Sequence, residues 1–195
     1  MSKEAAEAKD TQGQTPLSIA AEHGHLDVVK LLVKEGGADV ESEDKCLRKT
    51  PLSWAAAPGH LEVVEFLVEE GGADVETNGG FTPLIVAAMY GHLEMAKFLV
   101  QRGGADIESK DLYVGRTPLI WAAESGELEV AKFLVEEGGA DESKDDEGNT
   151  ALDVARQQAA KGLPWSEGCR AVAVWLEKDS RIPNRGSRAN VNDGR

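Results

Sequence analysis

A chain of 195 residues with 41% apolar content can bury a core, while its formal net charge of −14, from 21 basic and 35 acidic residues, argues against nucleic-acid backbones and anionic membranes as partners. No stretch approaches the ~18 uncharged apolar residues of a membrane helix, and the start Met1-Ser2-Lys3-Glu4 lacks the apolar segment of a secretory signal. Cys46 and Cys169 are far apart in sequence, so no disulfide is expected and a reducing cytoplasmic or nuclear setting is.

Residues 1–9 are rich in Ala, Glu and Lys and are expected to form a frayed N-terminal extension. Beyond them the chain repeats itself. Thr-Pro-Leu-x-x-Ala occurs at Thr15, Thr50, Thr82 and Thr117, and Thr150-Ala151-Leu152 keeps all but the proline. These starts lie 35, 32, 35 and 33 residues apart. Gly-Gly-Ala-Asp follows at Gly36, Gly71, Gly103 and Gly138, each 21 residues after its threonine. From the glycine pair to the next threonine the distance varies: 14, 11, 14 and 12 residues. A period near 33 marks stacked copies of one supersecondary unit. The constant stretch reads as scaffold and the variable one as display surface.

The second unit shows the pattern. Thr50 is a good N-cap, and Pro51 presets φ for the first helical position. Leu52, Ala55 and Ala56 give a short, thin helix ending at Gly59. Leu61, Val63, Val64, Phe66, Leu67 and Val68 recur at helical spacing, and the pair Gly71-Gly72 stops that second helix. A first helix of about nine residues is marginal alone, so only stacking stabilises it. Glu69-Glu70 and Glu136-Glu137 oppose the macrodipole in the last turn of second helices, a sign of selection for solubility or for a basic partner. The fifth unit replaces the short turn with Lys161–Ser166, closes with Ala171–Leu176, and is expected to be the terminal cap. Residues 179–195 lose the period, carry four arginines against two aspartates, and are expected to be a disordered tail.

With Thr15–Asp39, Thr50–Asp74, Thr82–Asp106 and Thr117–Asp141 in register, the chain resembles ankyrin repeats. Their mark is Thr-Pro-Leu-His-x-Ala-Ala-x-x-Gly-His, then Val-Val-x-x-Leu-Leu and Gly-Ala-Asp. The resemblance implies an all-α solenoid of five helix-turn-helix units with short extended or β-hairpin loops. The units fall at about 10–44, 45–76, 77–111, 112–144 and 145–178. There are three departures. Ser18, Ser53, Ile85 and Ile120 replace the motif histidine, an extra Gly precedes each Ala-Asp, and Glu41, Glu76 and Glu108 stand where the family often has Asn. The Ser-Trp-Ala-Ala variant at Ser53 resembles repeats of large fungal signalling proteins.

No catalytic constellation is visible, and no cofactor or metal is expected. His25, His60 and His92 recur once per unit, so stacking holds them about 10 Å apart, too far to share a metal. Asn78-Gly79-Gly80 lacks the Lys-Ser/Thr of a phosphate loop. Trp54 and Trp121 are either core fillers, the favoured reading, or ligand anchors.

The resemblance implies a non-catalytic protein-interaction scaffold, monomeric, with a protein partner on the concave face. That face is made of loop tips and the exposed residues before each first-helix turn. Carried over by position, the partner-binding candidates are Leu47, Arg48, Lys49, Phe81, Met89, Tyr90, Leu112, Tyr113 and Arg116. The two longest loops, Asp39–Lys49 and Asp106–Arg116, should wall a notch floored by Phe81, Met89 and Tyr90 with arginine and lysine at its rim. Unit five is acidic at Asp146 and Glu147. The alternative function is an acidic decoy or inhibitor of a basic or nucleic-acid-binding protein.

Overall fold

The computed structural model describes residues 3–45, 48–76 and 80–178. Cys46, Leu47, Asn78 and the tail 179–195 therefore lie outside the described residues. Among those described, the chain is all helix and turn, with no strand. After a single helical turn, α1 (Lys3–Ala6), the helices come in pairs. These are α2 (Pro16–Glu22) with α3 (Leu26–Lys34), α4 (Pro51–Ala56) with α5 (Leu61–Glu69), and α6 (Pro83–Met89) with α7 (Leu93–Gln101). Two more follow: α8 (Pro118–Ser125) with α9 (Leu128–Glu136), and α10 (Ala151–Ala160) with α11 (Ser166–Lys178). First helices stack on first helices and, in units one to four, second helices on second helices, which makes the solenoid. No helix among the described residues is long and apolar enough to cross a membrane.

The repeated residues act as their chemistry dictates. Each first helix opens on a buried threonine whose Oγ1 accepts from the N–H three residues on, at 3.2–3.4 Å. Unit five, without proline, adds the reciprocal bond from Thr150 N–H to the Asp153 carboxylate at 3.0 Å, completing a capping box. Two of these threonines also bond a loop hydroxyl: Thr15 Oγ1 meets Ser42 Oγ at 3.3 Å, and Thr82 Oγ1 meets Ser109 Oγ at 3.2 Å. Leu17, Leu52, Leu84 and Leu119 are buried to 2% exposure or less, and the paired alanines of the first helices let neighbouring backbones approach. Of each glycine pair, only the second enters the left-handed region, Gly72 at φ +72° for example.

Three sets of bonds tie unit to unit. The first involves the glutamates that depart from the family. Glu41 accepts from Asp74 N–H at 2.9 Å, Glu76 from Asp106 at 2.8 Å, and Glu108 from Asp141 at 2.8 Å. Glu7 begins the same ladder, accepting from Asp39 N–H at 2.7 Å, and Ala6 is fully buried. Residues 3–9 are thus tied to the array rather than frayed, because they supply what the end of a preceding unit supplies elsewhere.

In the second set, residues opening the second helix reach back one unit. His60 Nε2 donates to Glu22 O and His92 Nε2 to Ala57 O, both at 3.0 Å. In unit five Cys169 Sγ takes this role, donating to Glu124 O at 3.2 Å. Glu127 occupies the place in unit four and packs on Gly91 as His60 packs on Gly24. Burial pushes its carboxyl above the usual range, against the pull of His92. A raised carboxyl contributes stability below its unfolded pKa and loses that contribution as pH rises through the folded value. Glu127→His should therefore stabilise the protein by about 1 kcal/mol near pH 7.5 and by less near pH 4. Urea melts at the two pH values check this, and no gain at the higher pH would count against the assignment.

The third set uses the last-turn acids. Glu70 meets Lys34 at 2.6 Å, Glu69 meets Arg102 at 2.5 Å, and Gln101 donates to Glu137 at 3.4 Å. For Glu69, Glu70 and Glu137 a neighbouring unit supplies the partner, so these side chains do not by themselves point to a basic ligand. Finally, α11 buries Cys169, Val172, Ala173 and Leu176 and packs against α8, α9 and α10, closing that end.

Candidate functional site

The loop tips ahead of Thr15, Thr50, Thr117 and Thr150 are each organised by an aspartate. Asp111 accepts from the N–H groups of Tyr113, Val114 and Arg116 at 2.8–2.9 Å, and Asp145 from those of Glu147 and Asn149 at 3.0 and 2.8 Å. Asp10 does the same for Gln12 and Gln14, and Asp44 accepts from Lys49 N–H. Each of these loops is closed by a backbone bond from its aspartate, such as Asp44 N–H to Lys49 O at 3.1 Å and Asp111 N–H to Arg116 O at 3.0 Å. Successive tips are joined by further single bonds, Lys45 to Gln12 and Leu112 to Gly80. The loops thus turn like hairpins without building a ladder.

Tryptophan accompanies the long loops. In unit two Trp54 Nε1 donates to Asp44 at 3.2 Å, and in unit four Trp121 Nε1 donates to Asp111 at 3.0 Å. A cation covers each ring: Lys49 Nζ lies 4.5 Å from the Trp54 centroid and the Arg116 guanidinium 5.2 Å from that of Trp121. Both indoles are half-buried. They brace the tall loops against their own first helices, a role neither core filling nor anchoring describes. Trp121 also faces the groove.

The position two residues before each threonine is left-handed throughout: Gly13, Gly80, Gly115 and Gly148, but Arg48 in unit two at φ +53°. For a residue with a Cβ that conformation costs about 1–2 kcal/mol. The ion pair of Arg48 with Glu43, 2.8 Å between exposed partners, offsets little of it. Arg48→Gly should raise stability by about 1 kcal/mol. A thermal melt shifted downward would show that the arginine itself holds the loop.

Between these loops lies a groove of about 340 Å³. Lys49 and Ser53 stand on one side, Tyr113 and Trp121 on the other, and Ala57, Phe81, Val86, Met89 and Tyr90 complete the lining. Phe81 meets Trp121 edge-on with centroids 5.5 Å apart and tilts against Tyr113 at 5.1 Å. Tyr90 stacks on His92 at 6.2 Å. Gly80 favours glycine here, since its φ is +120°, and the Tyr113 ring packs where a Cβ would stand. A family model for three successive ankyrin repeats matches residues 37–111 and 104–164, and a single-repeat model matches residues 12–45.

The chain belongs to the ankyrin-repeat family. Ankyrin repeats are protein-interaction modules, and proteins built from them are typically non-catalytic. Compared with curated proteins, the chain has no match.

In this ankyrin array the groove brings together Lys49, Phe81, Met89, Tyr90 and Tyr113 from the nine candidates. Tyr90 and Tyr113 are 56% and 59% exposed. Leu112, 77% exposed, is not part of the lining. Arg48 pairs with Glu43, and Leu47 lies outside the described residues. Arg116 is withdrawn from the rim: its side chain is 16% exposed and is held by Glu124 and by Asp145 at 3.4 Å. Burial pushes the Asp145 carboxyl up, but the donors Asn149, Arg116 and Glu147 outweigh it and hold the group below the usual range.

Sequence reasoning overlooked Ser53 and Val86 as lining residues, and for Trp121 it favoured core filling over ligand anchoring. The signal for Trp121 was present as an aspartate ten residues before each first-helix tryptophan, Asp44 before Trp54 and Asp111 before Trp121.

Proposed function

We propose that this chain is a non-catalytic, monomeric binding module of the cytoplasm or nucleus. Its partner is another protein, with neither nucleic acid nor membrane involved, and it seats in the groove between the loops of units two and four. One observation carries the reading. At the two exposed positions before the first-helix turn, unit three alone places large side chains with apolar surface, Met89 and Tyr90. The other units place Glu22-His23, Ala57-Pro58, Glu124-Ser125 and Gln157-Gln158 there. Aromatic side chains left half-exposed around one depression are the composition of binding hot spots.

Affinity capture with mass spectrometry tests this, comparing wild type with Tyr90→Ala/Tyr113→Ala. Proteins captured by wild type and lost by the variant support the reading. An unchanged set, or loss only on reversing Asp146 and Glu147, favours the acidic-decoy alternative and a site in unit five.

A further inference from the structure

We infer that the groove seats a single aromatic side chain from an extended peptide segment, with a carboxylate next to it that meets Lys49. The inference rests on the binding reading above and narrows it to one chemistry.

Size comes first. At about 340 Å³ the groove stands at the lower end of ligand-pocket volumes, roughly 300–1,000 Å³, which suits one bulky side chain and little more. The walls decide which side chain. Phe81, Tyr113 and Trp121 are already set edge-on and tilted, so an entering ring finds both edges and faces to pack against. Met89 adds an adaptable thioether beside them.

Charge then orients the segment. Lys49 is the only charged residue among the nine that line the groove, and no acid joins it there. Arg48 and Arg116 are held by Glu43 and by Glu124 with Asp145. Among the described residues the Lys49 ammonium makes no ion pair and rests over the Trp54 ring. A cation already positioned by an aromatic face, at an apolar slot in a chain of net charge −14, marks the spot where an acidic segment is attracted instead of repelled.

The test is selection of a random peptide-display library on the full chain, repeated with Lys49→Glu, Lys49→Gln and Tyr90→Ala/Tyr113→Ala. Wild type should enrich Trp, Phe or Tyr beside Asp or Glu. Lys49→Glu should keep the aromatic residue, exchange the acidic flank for Lys or Arg, and weaken the wild-type peptides about fivefold or more. Lys49→Gln should abolish the flank preference without reversing it, which separates charge from any disturbance of the loop. An acidic flank retained on Lys49→Glu, or enriched peptides with no aromatic residue, overturns this inference and leaves the groove as the site. Peptides indifferent to the tyrosine substitutions, or no enrichment at all, overturn both.

Discussion

Gly126→Ala should destabilise the protein by about 3–4 kcal/mol, whereas Gly139→Ala should cost only about 1 kcal/mol. Both glycines end helices in the left-handed region, at φ +80° and +76°, so both replacements carry the same conformational term. Their surroundings differ. A Cβ on Gly139 would meet nothing within 4 Å, while one on Gly126 would lie 2.7 Å from Cys169 N and 2.8 Å from Gly168 C. Those are backbone atoms near the start of α11, which cannot rotate aside, so the helix itself must shift. That shift also strains the bond from Cys169 Sγ to Glu124 O. In an array held by neighbour contacts the loss falls first on unit five. Hydrogen exchange should therefore show α11 opening in Gly126→Ala before α5 or α7 is affected. Equal melting shifts for the two variants would mean that α11 is not seated on unit four through this contact.

Tyr90→Ala and Tyr113→Ala should each weaken partner binding by about 2 kcal/mol or more, some thirtyfold, while leaving stability nearly unchanged. The dissociation of the two effects follows from exposure: each ring is more than half accessible, so its removal leaves little cavity in the fold. What it removes is the wall of the groove, the Tyr113 ring against Phe81 and the Tyr90 ring beside Met89. Leu112→Ala is the internal control. Leu112 is more exposed than either tyrosine yet lies outside the lining, so its loss should change affinity by less than about 0.5 kcal/mol. Titrating one captured partner against the three variants separates an anchored site from a diffuse sticky surface, on which Leu112 would matter most.

The fold was legible because its determinants are local. Threonine caps, prolines at the first helical position and glycines at helix ends act within a few residues, and the chain states them up to five times. The location of the groove could also be read, from loop length and from Phe81, Met89 and Tyr90. What escaped was every contact across a unit boundary. Glu41, Glu76 and Glu108 stand out in the sequence, yet a carboxylate that accepts a backbone N–H some thirty residues away looks no different from a solvated one. Arg116, expected at the rim, is held by Glu124 of its own unit and by Asp145 of the next. Charged residues in a stacked array have partners one period away, and a linear sequence does not show which of them face each other.

Where the partner seats is tested most directly by calorimetric titration of one purified partner. Wild type would be compared with Tyr90→Ala/Tyr113→Ala in the groove and with Asp146→Lys/Glu147→Lys on the acidic loop of unit five. The predicted result is affinity lost by about thirtyfold or more in the tyrosine variant and retained in the charge-reversed one. Affinity retained without the two tyrosines and lost on reversing Asp146 and Glu147 would contradict the account and move the site to the far end of the array.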